Sequence, residues 1–129
     1  MDKAFKILIA DSNPYIRTFL SRELSGMGNS TVEAANCKEI LNLLHVEHPP
    51  ELLVMELDFP LVTGINILQR IQNLVPTIPQ IIYTHLTEYE NHPIVKKADA
   101  FVDKSNDPIE LFQTIDIVLK RNYAINPKK

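Results

Sequence analysis

Apolar residues fall along this chain in two alternating rhythms, short unbroken runs and longer stretches where they recur every three or four positions. Phe5 to Ala10 is the first unbroken run, and it predicts a buried strand followed by turn formers. Asn13-Pro14 then offers an N-cap and a proline suited to the first helical position. From Tyr15, residues Ile16, Phe19, Leu20 and Leu24 recur at helical spacing, and Gly26 and Gly28 close that helix. Thr31 to Ala34 is a short, weakly marked second strand. Cys37 to Val46 carries Ile40, Leu41, Leu43 and Leu44 on a helical stripe, which Pro49-Pro50 stops. The third strand is Leu52 to Glu56, and a loop follows as far as Gly64. Ile65 to Val75 repeats the helical pattern through Ile67, Leu68 and Ile71. Pro76 and Pro79 bracket the turn into the fourth strand, Gln80 to Thr84. His85 to Lys97 is polar and interrupted by Pro93, so a short or irregular helix is expected. Ala100 to Asp103 is the fifth strand. Asp107-Pro108 caps a final helix that turns Ile109, Leu111, Phe112, Ile115, Val118 and Leu119 inward.

Five apolar strands alternating with five amphipathic helices imply an α/β fold, a single doubly wound parallel sheet covered on both faces. In such sheets the functional crevice lies at the carboxyl ends of the strands. That rule selects Asp11-Ser12, Glu56, Thr84-His85 and Lys104, polar groups that directly follow apolar strands.

Composition narrows the reading. A chain of 129 residues suits one domain, here expected over residues 1–124 with a tail at 125–129. With 45% hydrophobic and 22% charged residues, neither disorder nor a membrane protein is indicated. No apolar run approaches the ~20 residues that span a bilayer, and the N-terminus lacks a signal-peptide core. The single cysteine, Cys37, suits a reducing, cytoplasmic location. A net charge of -3 gives no footprint for nucleic acid, and Lys128-Lys129 is too short to change that. His45 and His48 have a metal-like spacing but no third convergent ligand, so they read as a solvated helix end.

Four segments together carry a family resemblance. They are Ile7-Leu8-Ile9-Ala10-Asp11-Ser12-Asn13-Pro14, Met55-Glu56-Leu57-Asp58-Phe59-Pro60, Ile82-Tyr83-Thr84-His85 and Phe101-Val102-Asp103-Lys104. Over nearly its whole length the chain resembles response-regulator receiver domains, which have the flavodoxin-like topology with strand order 2-1-3-4-5. The resemblance implies an acidic, magnesium-holding position at Asp11 and Ser12, a phosphoacceptor position at Glu56 and a phosphate contact at Lys104. It also implies switch positions at Thr84 and Phe101, and a backbone carbonyl at Asp58 near any metal. Spacing to Phe59-Pro60 places the acceptor position at Glu56 and not at Asp58.

The sequence departs from the family at four points. Glu56 stands for the acceptor aspartate and Ser12 for the second acid. His85 occupies a place usually held by a small residue, where it would gate access, and Ser105 stands for a proline. The pocket thus loses one negative charge and one oxygen ligand, so Mg2+ binding is expected to be weak or absent. The extra methylene of Glu56 shifts its carboxylate by roughly 1.3–1.5 Å, about one carbon–carbon bond. That displacement allows two outcomes, imitation of a phosphorylated aspartate or a silent ion pair with Lys104. Without a proline, the Lys104–Ser105 peptide is expected to be trans.

The resulting expectation is a stand-alone, atypical receiver (a pseudo-receiver) in two-component phosphorelay signalling. It is not an enzyme, and it signals through protein contacts with a histidine kinase or output protein. The implied contact face comprises the fourth helix, fifth strand and fifth helix, with candidates Val95, Lys97, Phe101, Asp103 and the exposed side of Glu110 to Lys120. A homodimer stays open. The alternative is a phosphorylation-competent receiver that takes a phosphoryl group from a histidine kinase with Mg2+. A flavodoxin-type cofactor binder is a third reading, weakened by Asp11, which would repel a phosphate.

Overall fold

A computed structural model describes residues 4–123. The expected tail at 125–129 and the exact ends of the domain therefore lie outside the described residues. The main sheet has five strands, β1 (Lys6–Ala10), β2 (Ser30–Ala34), β3 (Leu52–Met55), β4 (Gln80–Thr84) and β5 (Ala100–Asp103). They are parallel throughout and lie in the order β2-β1-β3-β4-β5. Between them run α1 (Pro14–Gly26), α2 (Cys37–Leu44), α3 (Gly64–Leu74), α4 (Pro93–Lys96) and α5 (Ile109–Asn122).

Period-two alternation in the strands builds two cores. Leu8, Ala10, Leu53, Met55 and Ile82 share one cluster with buried residues of α2 and α3. Ile7, Ile9, Leu52, Val54, Ile81 and Tyr83 share the other with α1 and α5. Every apolar residue of β1, β3 and β4 is buried, and burying one such side chain stabilises by about 1.5–3 kcal/mol. The sheet is thus clamped from both sides, and only its strand ends are left to carry chemistry.

Local signals fix the helix ends. Asn13 caps α1 by accepting the Tyr15 N–H at 2.9 Å, with Pro14 at the first helical position. The same helix closes at Gly28, whose φ of 94° suits glycine, with the Asn29 N–H returning to the Leu24 carbonyl. Several expected boundaries shift by one or two residues, among them the starts of β1 and β2, at Lys6 and Ser30. α2 stops at Leu44 instead of Val46, because the His45 ring and backbone N–H bond back to Leu41 and Asn42. β3 ends at Met55, one residue before Glu56, and α3 runs from Gly64 to Leu74.

Two burial assignments are corrected. Ile109 is 56% exposed, since it opens the first turn of α5 ahead of the buried stripe. Val95, expected on the contact face, is 3% exposed because the short α4 turns it into the core beside α3. The region after His85 is irregular as expected, with a 3-10 turn at Thr87–Tyr89 and a four-residue α4. An unexpected element is a hairpin, Asp58–Phe59 against Val62–Thr63, between β3 and α3.

Candidate functional site

Three strands deliver their polar residues through ladder bonds that continue one residue past each strand. The Asp11 N–H bonds the Ala34 carbonyl at 3.0 Å, the Glu56 N–H bonds Ala10 at 2.9 Å, and the Lys104 N–H bonds Thr84 at 3.0 Å. Asp11, Glu56 and Lys104 therefore stand at adjacent strand ends, with Thr84 closing β4 between Glu56 and Lys104.

Lys104 Nζ bridges Asp11 Oδ2 at 2.6 Å and Glu56 Oε1 at 2.5 Å. All three side chains are 6–7% exposed, so these are buried charge-assisted bonds. Glu56 Oε2 accepts three more donors: the Leu57 N–H at 2.6 Å, the Asp58 N–H at 3.0 Å and the Thr84 hydroxyl. Thr84 Oγ1 in turn accepts the Leu86 N–H at 3.1 Å. Asp11 Oδ1 accepts the Asn13 N–H at 2.8 Å. Each carboxylate oxygen of the pair is occupied by donors from the chain itself.

Two carboxylates and one ammonium leave the cluster a single net negative charge. Burial alone would lower the pKa of Lys104, but the hydrogen bonds and charges of Asp11 and Glu56 outweigh it and hold the pKa above its ordinary value. The ammonium lies 5.7 Å from the centroid of the Tyr83 ring. Burial raises the Tyr83 phenol, against the opposing charge of Lys104. Arg17 supports the rim, giving Nη1 to the Asp11 carbonyl at 2.7 Å and Nε to Glu33 at 3.3 Å.

The remaining candidates stand outside this bonded set. Ser12 is half-buried beside Asp11, and His85 is exposed. Asp58 gives its backbone N–H to Glu56 while its side chain is exposed. Phe101 is half-buried against the core beneath α3 and α4. The Lys104–Ser105 peptide is trans. Asp103, on the rim, accepts both the hydroxyl and the N–H of Ser105 at 2.7 and 2.8 Å, which lowers its pKa.

The Leu57 and Asp58 amides and Arg17 were not anticipated from the sequence. A glutamate long enough to curl onto the two N–H groups that follow it was a usable signal for the amides; nothing in the spacing singled out Arg17. Magnesium takes free oxygens in near-octahedral array, and in this arrangement the carboxylate oxygens of Asp11 and Glu56 all face donors from the chain. Among the described residues no three His, Cys, Asp or Glu side chains converge.

Residues 7–116 match the family model described as response regulator receiver domain. The chain is 35% identical over 118 residues to the "Probable transcriptional regulator ycf27" of Galdieria sulphuraria, covering 90% of this chain and 46% of that protein. It is 26% identical to the "Glycerol metabolism activator" of Pseudomonas putida, over 95% of this chain and 58% of that protein. The chain thus spans about half the length of the curated relatives it matches. Among solved structures it is similar to the response regulator protein TrrA of Thermotoga maritima in complex with Mg(2+)-BeF. That match has a TM-score of 0.82 and 25% identity, covering 89% of this chain and 99% of that one. A CheY-like receiver domain protein of Methanospirillum hungatei matches in fold with a TM-score of 0.86 and 24% identity, covering 95% and 98%.

Proposed function

The chain belongs to the response regulator receiver domain family of two-component signalling, and from that premise we propose that it is an atypical receiver held in its bonded state by Glu56. One observation carries the reading: the Glu56 carboxylate is bonded to the Thr84 hydroxyl and the Lys104 ammonium. By the family's logic those two groups receive the phosphoryl oxygens. Glu56 supplies an anion to both without a phosphoryl group, so imitation of the phosphorylated state is favoured over a silent ion pair with Lys104, which would leave Thr84 free. The switch is then set by the fold, and output passes by protein contact with a histidine kinase or output protein.

The contact face in this proposal is α4, β5 and α5, without Val95. Lys97 is exposed there, Phe101 and Asp103 are partly so, and Ile117 on α5 is 55% exposed. Magnesium contributes little, because binding it would require Asp11 and Glu56 to give up Lys104.

The test compares wild type, Glu56→Gln and Glu56→Asp/Ser12→Asp by NMR. Wild type should ignore beryllofluoride at millimolar Mg2+ and resist labelling by acetyl phosphate. The double variant should respond, and its activated spectrum around Thr84 and Phe101 should approach that of untreated wild type. Glu56→Gln should move those signals the opposite way. Labelling of the wild-type chain at Glu56 or Asp58 would defeat this reading in favour of a phosphorylation-competent receiver.

A further inference from the structure

The hairpin between Glu56 and α3 carries a feature that the strand-end cluster does not use. Its two-residue tip is Pro60-Leu61, and Leu61 holds φ at 69°, in the left-handed region. Side chains with a Cβ disfavour that region, and turns that need it take glycine or asparagine at low cost. Leu61 gains no packing in return, for its relative exposure is 103%. Val62 beside it is 50% exposed. Both line a groove of about 540 Å³ with Thr63, Asn66, Ile67 and Arg70, so its apolar edge is the hairpin and its other wall is α3.

Arg70 is the sole charged residue of α3. It is exposed and makes no ion pair among the described residues. The groove therefore combines a strained, solvent-facing apolar tip with a cation that lacks an acid, on a chain whose net charge is -3. Its complement is an apolar surface bearing a carboxylate. We propose that this groove docks an amphipathic helix of a partner protein, whose apolar face covers Leu61, Val62 and the edge of Ile67 while an Asp or Glu pairs with Arg70. This surface is separate from the α4, β5 and α5 face. It is also tied to the buried cluster, because the hairpin starts at Asp58, whose N–H is bonded to Glu56.

The test selects a displayed library of helical peptides on the full chain, with Leu, Ile, Phe or Met at positions i, i+3, i+4 and i+7 and all residues allowed elsewhere. Enriched peptides should carry Asp or Glu at one fixed position, and amide shifts should concentrate in residues 61–70. Arg70→Glu should weaken binding about tenfold or more, and a Lys at the peptide's acidic position should recover most of that loss. Leu61→Asn should weaken binding by a similar factor while leaving the melting temperature unchanged or raised, which separates lost contact from lost fold. The proposal is overturned if no peptide is enriched, if no acid is fixed, or if both variants bind as wild type does. Self-association abolished by Leu61→Asn would assign the groove to a second copy and overturn it equally.

Discussion

Lys104 bridges two carboxylates from one position, so both carboxylates depend on it. Removing one member of a buried ion pair leaves the remaining charges unpaired, at a cost of about 3–5 kcal/mol. Lys104→Ala should lower the free energy of unfolding by that amount in urea titration. Glu56→Gln should cost clearly less, because its amide oxygen still accepts from the Leu57 and Asp58 N–H groups. Equal losses in the two variants would contradict this and show that the Glu56 charge matters to the cluster as much as Lys104 does. At this scale the sequence was readable where position alone decides. Asp11, Glu56, Thr84 and Lys104 converge because strand ends converge. The partner of each oxygen was not readable, since it depends on how far a side chain curls. Val95 misled for a related reason: a four-residue helix offers too few turns to reveal which side is buried.

The hairpin is the element whose local chemistry departs furthest from its sequence signals. Pro60 marks a turn, but a leucine at the following position does not announce a left-handed backbone, so the pairing of Asp58 with Thr63 and Phe59 with Val62 was missed. Leu61→Asn should raise stability by up to ~1 kcal/mol, the lower range of the left-handed penalty. Gly64, which opens α3, is constrained in the opposite sense. A Cβ there would lie 2.7 Å from both the Cα and the carbonyl oxygen of Leu57, which are backbone atoms that cannot swing aside. Gly64→Ala should cost about 1–3 kcal/mol, and a combined thermal melt of both variants should show opposite shifts. The regular helices were legible because caps and apolar spacing agreed, as at Asn13, Pro14 and Gly28 in α1. Their last turns were not, because side-chain returns such as that of His45 decide them.

Across the whole molecule, the doubly wound sheet was legible because unbroken apolar strands leave few other ways to bury both faces. The same burial sets the response to alkali. Burial raises the pKa of Cys37, Tyr83 and Tyr123, and the carboxylates of the cluster raise that of Lys104 against burial. Each group keeps its proton to higher pH when folded, so the unfolded chain binds fewer protons and stability falls as pH rises. The decline should begin near the ordinary thiol value of 9.0. The Lys104 contribution is complete below 10.5 and is lost as pH passes its raised value. Urea midpoints that stay level between about pH 8 and 11 would contradict this. One more consequence follows from the distances along the chain that the cluster closes: 28 residues from Glu56 to Thr84, 48 from Glu56 to Lys104 and 93 from Asp11 to Lys104. Contacts of such long separation form late, after the sheet has assembled, because their closure entropy must be met first. Substitutions at Lys104 should therefore raise the unfolding limb of a chevron and leave the refolding limb in place. The buried triad acts as a latch that sets how long the folded molecule lasts, and has little part in how quickly it is found.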